Sequence, residues 1–182
     1  MMDKKILGII MLTLIMIVGA FPAFAASSAS STQTVQVTVN PTISIAARWN
    51  GGGNNSTITL GSLDADDLTT TFTGGSSGEE LFTYSNVPID VYTKASGDFS
   101  DGTNSIALSN FQYSGGSVGS ATAFTTSYFK MYSNWAKAPI GSYNVAPINL
   151  YLKVPFGTTP GDYSTTVYFS AVTANASAPT TP

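Results

Sequence analysis

Apolar and polar residues alternate at every second position through much of the chain beyond residue 31, beginning with Val35, Val37 and Val39. Such alternation is typical of a β-strand with one buried face, whereas the 3.6-residue period of an amphipathic helix is missing. Because Pro88 lacks an amide donor, the strand predicted near residues 87–91 is expected to start at a sheet edge or at a bulge. Similar runs predict further strands near residues 43–45, 58–60, 68–72, 87–91, 106–113 (with a shift of face), 128–132, 148–154 and 163–172.

Stretches rich in glycine, asparagine and serine separate these runs and predict turns. Strong helix formers are scarce between the turns, so that no helix is expected there. Eight or nine short strands with such turns predict an all-β fold, a single immunoglobulin-like or jelly-roll β-sandwich over residues 32–174. A flexible segment, residues 26–31, is expected before it, and a polar, proline-rich tail, residues 175–182, after it.

Residues 1–25 have the pattern of a secretory signal peptide. Lys4 and Lys5 precede an uncharged apolar run, and Ala23 and Ala25 supply the small residues that signal peptidase accepts. Cleavage is therefore expected before Ala26, with an uncleaved membrane anchor as the alternative. No second apolar stretch follows, so the mature chain is predicted to be extracellular or at the cell surface, without a membrane span.

Composition removes several classes of function. The 182 residues include no cysteine and no histidine, which excludes disulfides, thiol nucleophiles and histidine-dependent catalysis. Only 9% of the residues are charged, and a net charge of −3 with seven lysines and arginines argues against nucleic-acid binding. Since 43% of the residues are hydrophobic, the chain can nevertheless form a core.

Acidic residues cluster in three places, and such clusters could form a catalytic acid–base pair or a calcium site. A carboxylate pair could serve as acid and base in glycoside hydrolysis, but no other group for such work is evident, so an enzyme is not expected. A structural calcium ion is the alternative for Asp98 and Asp101, although their loop lacks the full ligand spacing of a calcium loop. No metal site or cofactor is otherwise predicted. The clusters are Asp64, Asp66 and Asp67; Glu79 and Glu80; and Asp98 and Asp101.

Aromatic residues and sequons offer two kinds of carbohydrate chemistry. Aromatic rings serve binding surfaces, so these side chains could form a platform for glycans, although aromatic residues are also ordinary strand residues that pack in a core. Asn54, Asn55 and Asn175 each begin an N-glycosylation sequon on an expected loop or tail. The aromatic candidates are Trp49, Tyr128, Phe129, Tyr132 and Trp135.

The most specific local pattern lies in residues 154–169, which match Val-Pro-x-Gly-x-x-x-Gly-x-Tyr-x-x-x-Val-x-Phe. A tyrosine where the chain re-enters the sheet, here Tyr163, can place its ring against the core and bond its hydroxyl to the loop as a tyrosine corner. The alternative is a simple hairpin with an aromatic strand start. This hairpin resembles the closing hairpin of secreted archaeal and bacterial surface sandwich proteins.

With the signal peptide and the early valine strand, the layout is similar to single-domain fibre subunits of the TasA/camelysin-like and archaeal bundling-pilus or thread type. That resemblance implies a subunit that polymerises by donating its N-terminal strand to a neighbouring copy. The lack of cysteine differs from chaperone–usher pilins, which usually carry a disulfide.

Residues 32–39, the valine segment, are the candidate donor strand. Asn40 and Pro41 interrupt the alternation after Val39, because proline lacks an amide donor and restricts the residue before it. The segment could therefore swing into a neighbour, or it could form the first strand of its own sandwich. We expect a secreted structural subunit of a homopolymeric filament or surface layer. The alternative is a non-polymeric adhesin or carbohydrate-binding module that contacts surface glycans through an aromatic face.

Overall fold

A computed structural model describes residues 31–181. The predicted signal peptide, residues 26–30 of the predicted flexible segment and Pro182 lie outside the described residues. Within the described range, no helix is long and apolar enough to cross a membrane.

The described residues form an all-β structure whose only helical element is a short 3-10 helix, Leu108–Asn110. The predicted all-β sandwich is therefore confirmed, although the strands number eleven rather than eight or nine. The strands are β1 (Ile43–Trp49), β2 (Thr69–Phe72), β3 (Glu79–Ser85), β4 (Ile89–Ala95), β5 (Phe99–Ser100), β6 (Ser105–Ile106), β7 (Phe111–Gly115), β8 (Val118–Ala123), β9 (Phe129–Trp135), β10 (Asn144–Lys153) and β11 (Val167–Thr173).

All strand pairs are antiparallel and belong to three sheets. The largest sheet has the order β1-β3-β10-β7-β8, and β2 also pairs with β10. β10 is long enough to pair with β3 through its first half and with β2 through its second half. The second sheet has the order β11-β4-β9, and β5 and β6 form a small separate hairpin.

The core consists of the apolar side chains that the two larger sheets direct toward each other. Leu81, Ile148 and Leu150 come from the six-stranded sheet, and Ile89 and Val91 come from the three-stranded sheet, all with no measurable exposure. Aromatic rings extend this core near the β5–β6 hairpin. There Phe111 stacks on Phe124, with ring centroids 4.6 Å apart. Alternation along β10 thus buries one face of that strand, as the sequence predicts, whereas the central strand β4 is buried on both faces.

Some predicted strands are displaced or missing. Ile58 and Leu60 pack against the core from an extended segment that pairs with no strand, so the prediction of a strand there is wrong. The last strand begins at Val167 rather than Tyr163, because only the single bridge between Ser164 and Ser100 precedes it. Neither β3 nor β8 is predicted from the sequence, since charged residues in β3 and small residues in β8 obscure the alternation.

Pro88 directly precedes β4, which is the central strand of the three-stranded sheet and not an edge. The irregularity expected beside this proline takes the form of register shifts between β4 and β9, on both sides of Val91. The carbonyl of Pro88 still accepts a hydrogen bond from the Ala174 amide. The proline is accommodated because its missing donor falls just outside the paired strand.

Candidate functional site

The valine segment forms no strand in this structure, and regular structure begins only at Ile43. Val35, Val37 and Val39 are 89%, 85% and 75% exposed. Isolated apolar side chains on a surface are common, but here three valines within one five-residue stretch are all exposed.

The chain after the valine segment is fixed by the side chain of Asn86. Its Oδ1 accepts a hydrogen bond from the Thr42 amide at 2.8 Å, and its Nδ2 donates to the Asn40 carbonyl at 2.9 Å. The Asn86 amide also donates to the Thr42 carbonyl. Asn86 therefore holds the backbone on both sides of Pro41, at the point where the valine segment ends.

β11 forms one edge of the three-stranded sheet, and its backbone alternates between the partner strand and the open side. The Thr166 carbonyl accepts from the Ser96 amide, and the Ala174 amide donates to the Pro88 carbonyl, so even-numbered residues face β4. The backbone groups of Val167, Phe169 and Ala171 consequently face away from the sheet. Within residues 31–181, none of these six N–H and C=O groups has a hydrogen-bond partner.

The side chains at this edge are core residues that are only half-buried. Val167, Phe169 and Ala171 pack against the buried cluster but keep part of their surface accessible. β1 lies close to β11 from the other sheet, and its core-facing Ile43 and Ile45 are also only partly buried. The boundary between β1 and β11 is thus a stripe of incompletely covered apolar core.

Other sheet edges are covered or offer little apolar surface. At β1, the Asn55 amide donates to the Ala47 carbonyl at 2.6 Å, and Ser56 Oγ accepts from the Trp49 amide at 2.9 Å. At β9, the Ser117 amide donates to the Met131 carbonyl at 2.9 Å. Strand β8 is rich in glycine, serine, alanine and threonine, and β2 has only four residues.

The contact between the β7–β8 turn and the edge of β9 depends on a glycine. Gly116 has a φ of +64°, and a Cβ there would lie 2.6 Å from the Tyr132 ring. The turn between β7 and β8 can approach β9 this closely only because Gly116 has no side chain.

The predicted aromatic candidates do not form one platform. Trp49 packs edge-on against Phe72 at 6.3 Å, whereas Tyr132 stacks on Trp135 with centroids 4.4 Å apart. Lys94 Nζ lies 4.5 Å from the centre of the Tyr128 ring. Phe129 is about half exposed at the start of β9. An exposed aromatic group that the sequence does not single out lies on the outer face of β3 and at the start of β10. The ring centroids of Phe82 and Tyr143 are 5.2 Å apart, and Tyr84 follows Phe82 on the same face of β3.

The acidic clusters have different local roles. Asp101 accepts hydrogen bonds from the Thr103 and Asn104 amides and from the Asn104 side chain, and these bonds lower the pKa of its carboxyl. Asp98 accepts from the Leu108 amide at 2.8 Å. Both carboxylates thus organise the loop around them. Within residues 31–181, no three acidic side chains are arranged so that they could hold a metal ion together.

Asp66 and Asp67, in the Asp64 cluster, also have local partners. Asp66 accepts from the Leu68 amide at 2.9 Å, and Asp67 lies 3.9 Å from Lys153 Nζ. These contacts lie in an exposed loop beside β2.

Glu79 and Glu80 point to opposite faces of β3. Glu79 is 1% exposed inside the core, and within the described residues neither of its carboxyl oxygens has a hydrogen-bond partner. Burial, with a further contribution from the charge of Glu80, raises the pKa of Glu79 to about 8. Glu79 is therefore a neutral acid at pH 7, while Glu80 is opposite Arg48 on the outer face.

Asp90 is a second buried carboxylate, and it has three partners. Lys130 Nζ lies 2.6 Å from Oδ2, the Asn134 amide donates to Oδ1 at 2.7 Å, and the Asn175 amide donates to Oδ2 at 3.1 Å. Burial by itself would raise the pKa of Asp90, but these hydrogen bonds and the charge of Lys130 lower it below its usual value. Asn134 and Asn175 both have positive φ angles, which asparagine tolerates better than most residues.

The remaining predicted residues lie on the surface or at a loop. Asn54, Asn55 and Asn175 are exposed. The Asn54 side-chain oxygen accepts from Arg48 Nε at 2.7 Å. Tyr163 Oη donates to the Thr159 carbonyl at 2.8 Å, and its ring packs on the edge of the core. This is the hydrogen bond to the preceding loop that a corner tyrosine makes. The prediction of a hairpin over residues 154–169 is wrong, because β10 and β11 belong to different sheets and this segment connects them.

Sequence reasoning misses the open edge of β11, the Asn86 contact and the Asp90 cluster. A signal exists only for Asp90, as a charged residue between Ile89 and Val91 in an apolar run. Comparisons with known proteins add no further assignment, since no protein-family model matches this chain and no curated protein is significantly similar to it.

Proposed function

We propose that this protein is a secreted structural subunit of an extracellular filament or cell-surface layer, and that it polymerises by donating its valine segment to a neighbouring copy. The observation that carries the proposal is the exposure of Val35, Val37 and Val39 in a chain that also has an open, apolar sheet edge. Each property alone is a liability for a soluble protein. Together they are complementary.

Strand addition would satisfy both features at once. The backbone of an added strand pairs with the free N–H and C=O groups of a sheet edge, and alternate side chains enter the core. Burying a valine side chain contributes roughly 1.5–3 kcal/mol, so three valines supply a substantial part of the association energy. Residues 32–40 contain no charged side chain that such burial would have to neutralise.

The junction with the domain suits a donated strand. Asn86 fixes Asn40 and Thr42 on the subunit that donates, so the valine segment leaves from a defined point. Pro41 lies between these two contacts and has a fixed φ. A defined exit restricts the orientation of successive subunits, which favours an ordered filament over an irregular aggregate.

Val37→Asp tests the proposal, with Gln36→Asp as the matched control. Both variants add one negative charge, but on opposite faces of an extended segment. We expect Val37→Asp to reduce the molar mass in light scattering to that of a single subunit while the circular dichroism spectrum and melting temperature stay unchanged. Gln36→Asp should still polymerise. Persistence of polymers in Val37→Asp, or unfolding of its monomer, would contradict strand donation.

A second candidate function, glycan binding by a non-polymeric surface module, is favoured by the outer aromatic group of β3 and β10. Tyr84 and Tyr143 are 54% and 53% exposed, and a cleft of about 160 Å³ lies next to Tyr84. Exposed aromatic rings suit stacking on sugars. This function predicts a monomer that binds a glycan and loses that binding in Tyr143→Ala.

A further inference from the structure

We infer that the acceptor for the valine segment is the free edge of β11 in a second copy of the chain, with Val37 placed opposite Phe169. This inference rests on the proposed function and specifies its partner surface. It follows from the number and spacing of the β11 residues whose backbone groups have no partner, and from the direction of their side chains. It also follows from the contacts that occupy the backbone groups of the other sheet edges.

The backbone of β11 offers three consecutive free positions. Val167, Phe169 and Ala171 direct their N–H and C=O groups away from β4, and the series ends at Thr173, whose carbonyl accepts from the Ala176 amide. The valine segment has three apolar positions at the same spacing of two residues. In an added strand, residues directly opposite each other point to the same face of the sheet.

Side-chain direction agrees with this pairing. Val167, Phe169 and Ala171 face the core but are only half-buried, whereas the equivalent side chains of the central strand β4 are buried. Valines opposite these residues would extend the same apolar face and cover the stripe between β11 and β1. The polar Gln36 and Thr38 would then face outward, in line with Tyr168 and Ser170.

The other edges fit the segment less well. β1 has free backbone positions only at Ile43 and Ile45, since Asn55 and Ser56 occupy the next two. β9 is bonded to the turn at Ser117 and has register shifts against β4. β11 contains no charge, no proline and no register shift, three features that commonly protect an edge strand from pairing.

The central pair is the same for either strand direction. An antiparallel segment would place Val35 opposite Ala171 and Val39 opposite Val167, and a parallel segment would exchange these outer pairs. Val37 lies opposite Phe169 in both arrangements. Every strand pair of the domain is antiparallel, so the antiparallel arrangement continues the existing pattern of the sheet.

Cysteine cross-linking tests the pairing directly, because the natural chain contains no cysteine. Val37→Cys and Phe169→Cys are produced separately as full-length chains, recovered after export, mixed and mildly oxidised. We expect a disulfide-linked dimer that contains one copy of each variant. Tyr168→Cys is the control for Phe169→Cys, because its side chain lies on the other face of β11 and should not link to Val37→Cys.

Three further variants guard against a folding defect and report the strand direction. Ala171→Cys changes a small residue and should leave the domain folded. It should link to Val35→Cys if the added strand is antiparallel, or to Val39→Cys if it is parallel, and either result supports the β11 acceptor.

The outcomes separate this inference from the proposed function. Polymers without any cross-link to Phe169→Cys or Ala171→Cys would overturn the β11 acceptor and leave strand donation standing. A monomeric wild-type protein would overturn both. A link that forms only within one chain of a Val37→Cys, Phe169→Cys double variant would show that the segment closes on its own β11, which also overturns both.

Discussion

Asp90 in the three-stranded sheet and Glu79 in the six-stranded sheet are both about 1% exposed, but their surroundings differ. Asp90 is charged and bound by a lysine and two backbone amides. Glu79 is neutral and has no partner within the described residues. The first carboxylate connects β4, β9 and the chain after β11, whereas the second makes no such connection among the described residues.

This difference suggests how the smaller sheet stays ordered despite its open edge. β11 pairs with one strand only, and polar contacts at both of its ends supplement that pairing. Ser96 and Gly97 bond to Thr165 and Thr166 before the strand, and Asp90 binds Asn175 after it. The six-stranded sheet has more paired strands and tolerates unpaired polar groups at Glu79, Thr83 and Tyr113. An acceptor edge that is fixed before it is filled loses less entropy on binding.

Asp90→Ala should have the largest effect on stability. The substitution leaves the amides of Asn134 and Asn175 without their acceptor and removes the ion pair with Lys130. We expect a loss of roughly 3–5 kcal/mol in the free energy of unfolding, measured by urea denaturation. Asp162→Ala, at an exposed loop residue, is the control and should change little. Equal stability of the two variants would refute the anchoring role of Asp90.

Glu79 should make the domain less stable as the pH rises. Its pKa is about 8 in the folded chain and 4.5 as the ordinary value of the unfolded chain, so the folded state holds an extra proton between these two values. The contribution of Glu79 to stability is then greatest below pH 4.5 and falls by about 1.4 kcal/mol for each pH unit up to about 8. Glu79→Gln should remove this slope in thermal melts between pH 5 and 8.

Asp90 should give the stability of the domain the opposite dependence on pH. Since its pKa is lowered in the folded chain, its stabilising contribution is complete above its unfolded value of 3.8 and is lost on acidification. Glu79→Gln should therefore retain an acid-side transition. If the variant had the same slope as wild type between pH 5 and 8, the neutral buried state of Glu79 would be ruled out.

Tyr163 should have the smallest effect of the three sites. Tyr163→Phe removes the hydrogen bond to the Thr159 carbonyl and should cost about 0.5–1.5 kcal/mol. Tyr163→Ala should cost about 2–3 kcal/mol, at or below the low end for an aromatic truncation because the ring is only partly buried. Melting temperatures equal to wild type in both variants would exclude a corner role.

Alternation along the chain predicts the fold class well because burial of one strand face depends on local sequence. It predicts β4, β7, β9 and part of β10 near their observed positions. It fails for β3, whose Glu79 and Thr83 are polar but point into the core between two paired strands. It also fails at Ile58 and Leu60, which pack on the core without a partner strand. Burial and pairing are separate properties, and alternation reports only the first.

The candidate site is less accessible to sequence reasoning. The valines of residues 32–39 are evident from their spacing, but the free edge of β11 depends on which strands lie beside it. Val167, Phe169 and Ala171 would look the same in a central strand. The contact of Asn86 with Thr42 spans 44 positions in the sequence, so no local pattern contains it.

Negative-stain electron microscopy of the secreted wild-type protein tests the central claim most directly. The account predicts long threads of regular width, built from single domains joined end to end, that persist in mild denaturant. The same preparation of Val37→Asp should contain isolated domains only. Wild-type protein that remains as isolated folded domains at concentrations comparable to those at the cell surface would contradict the proposal of a strand-donating subunit.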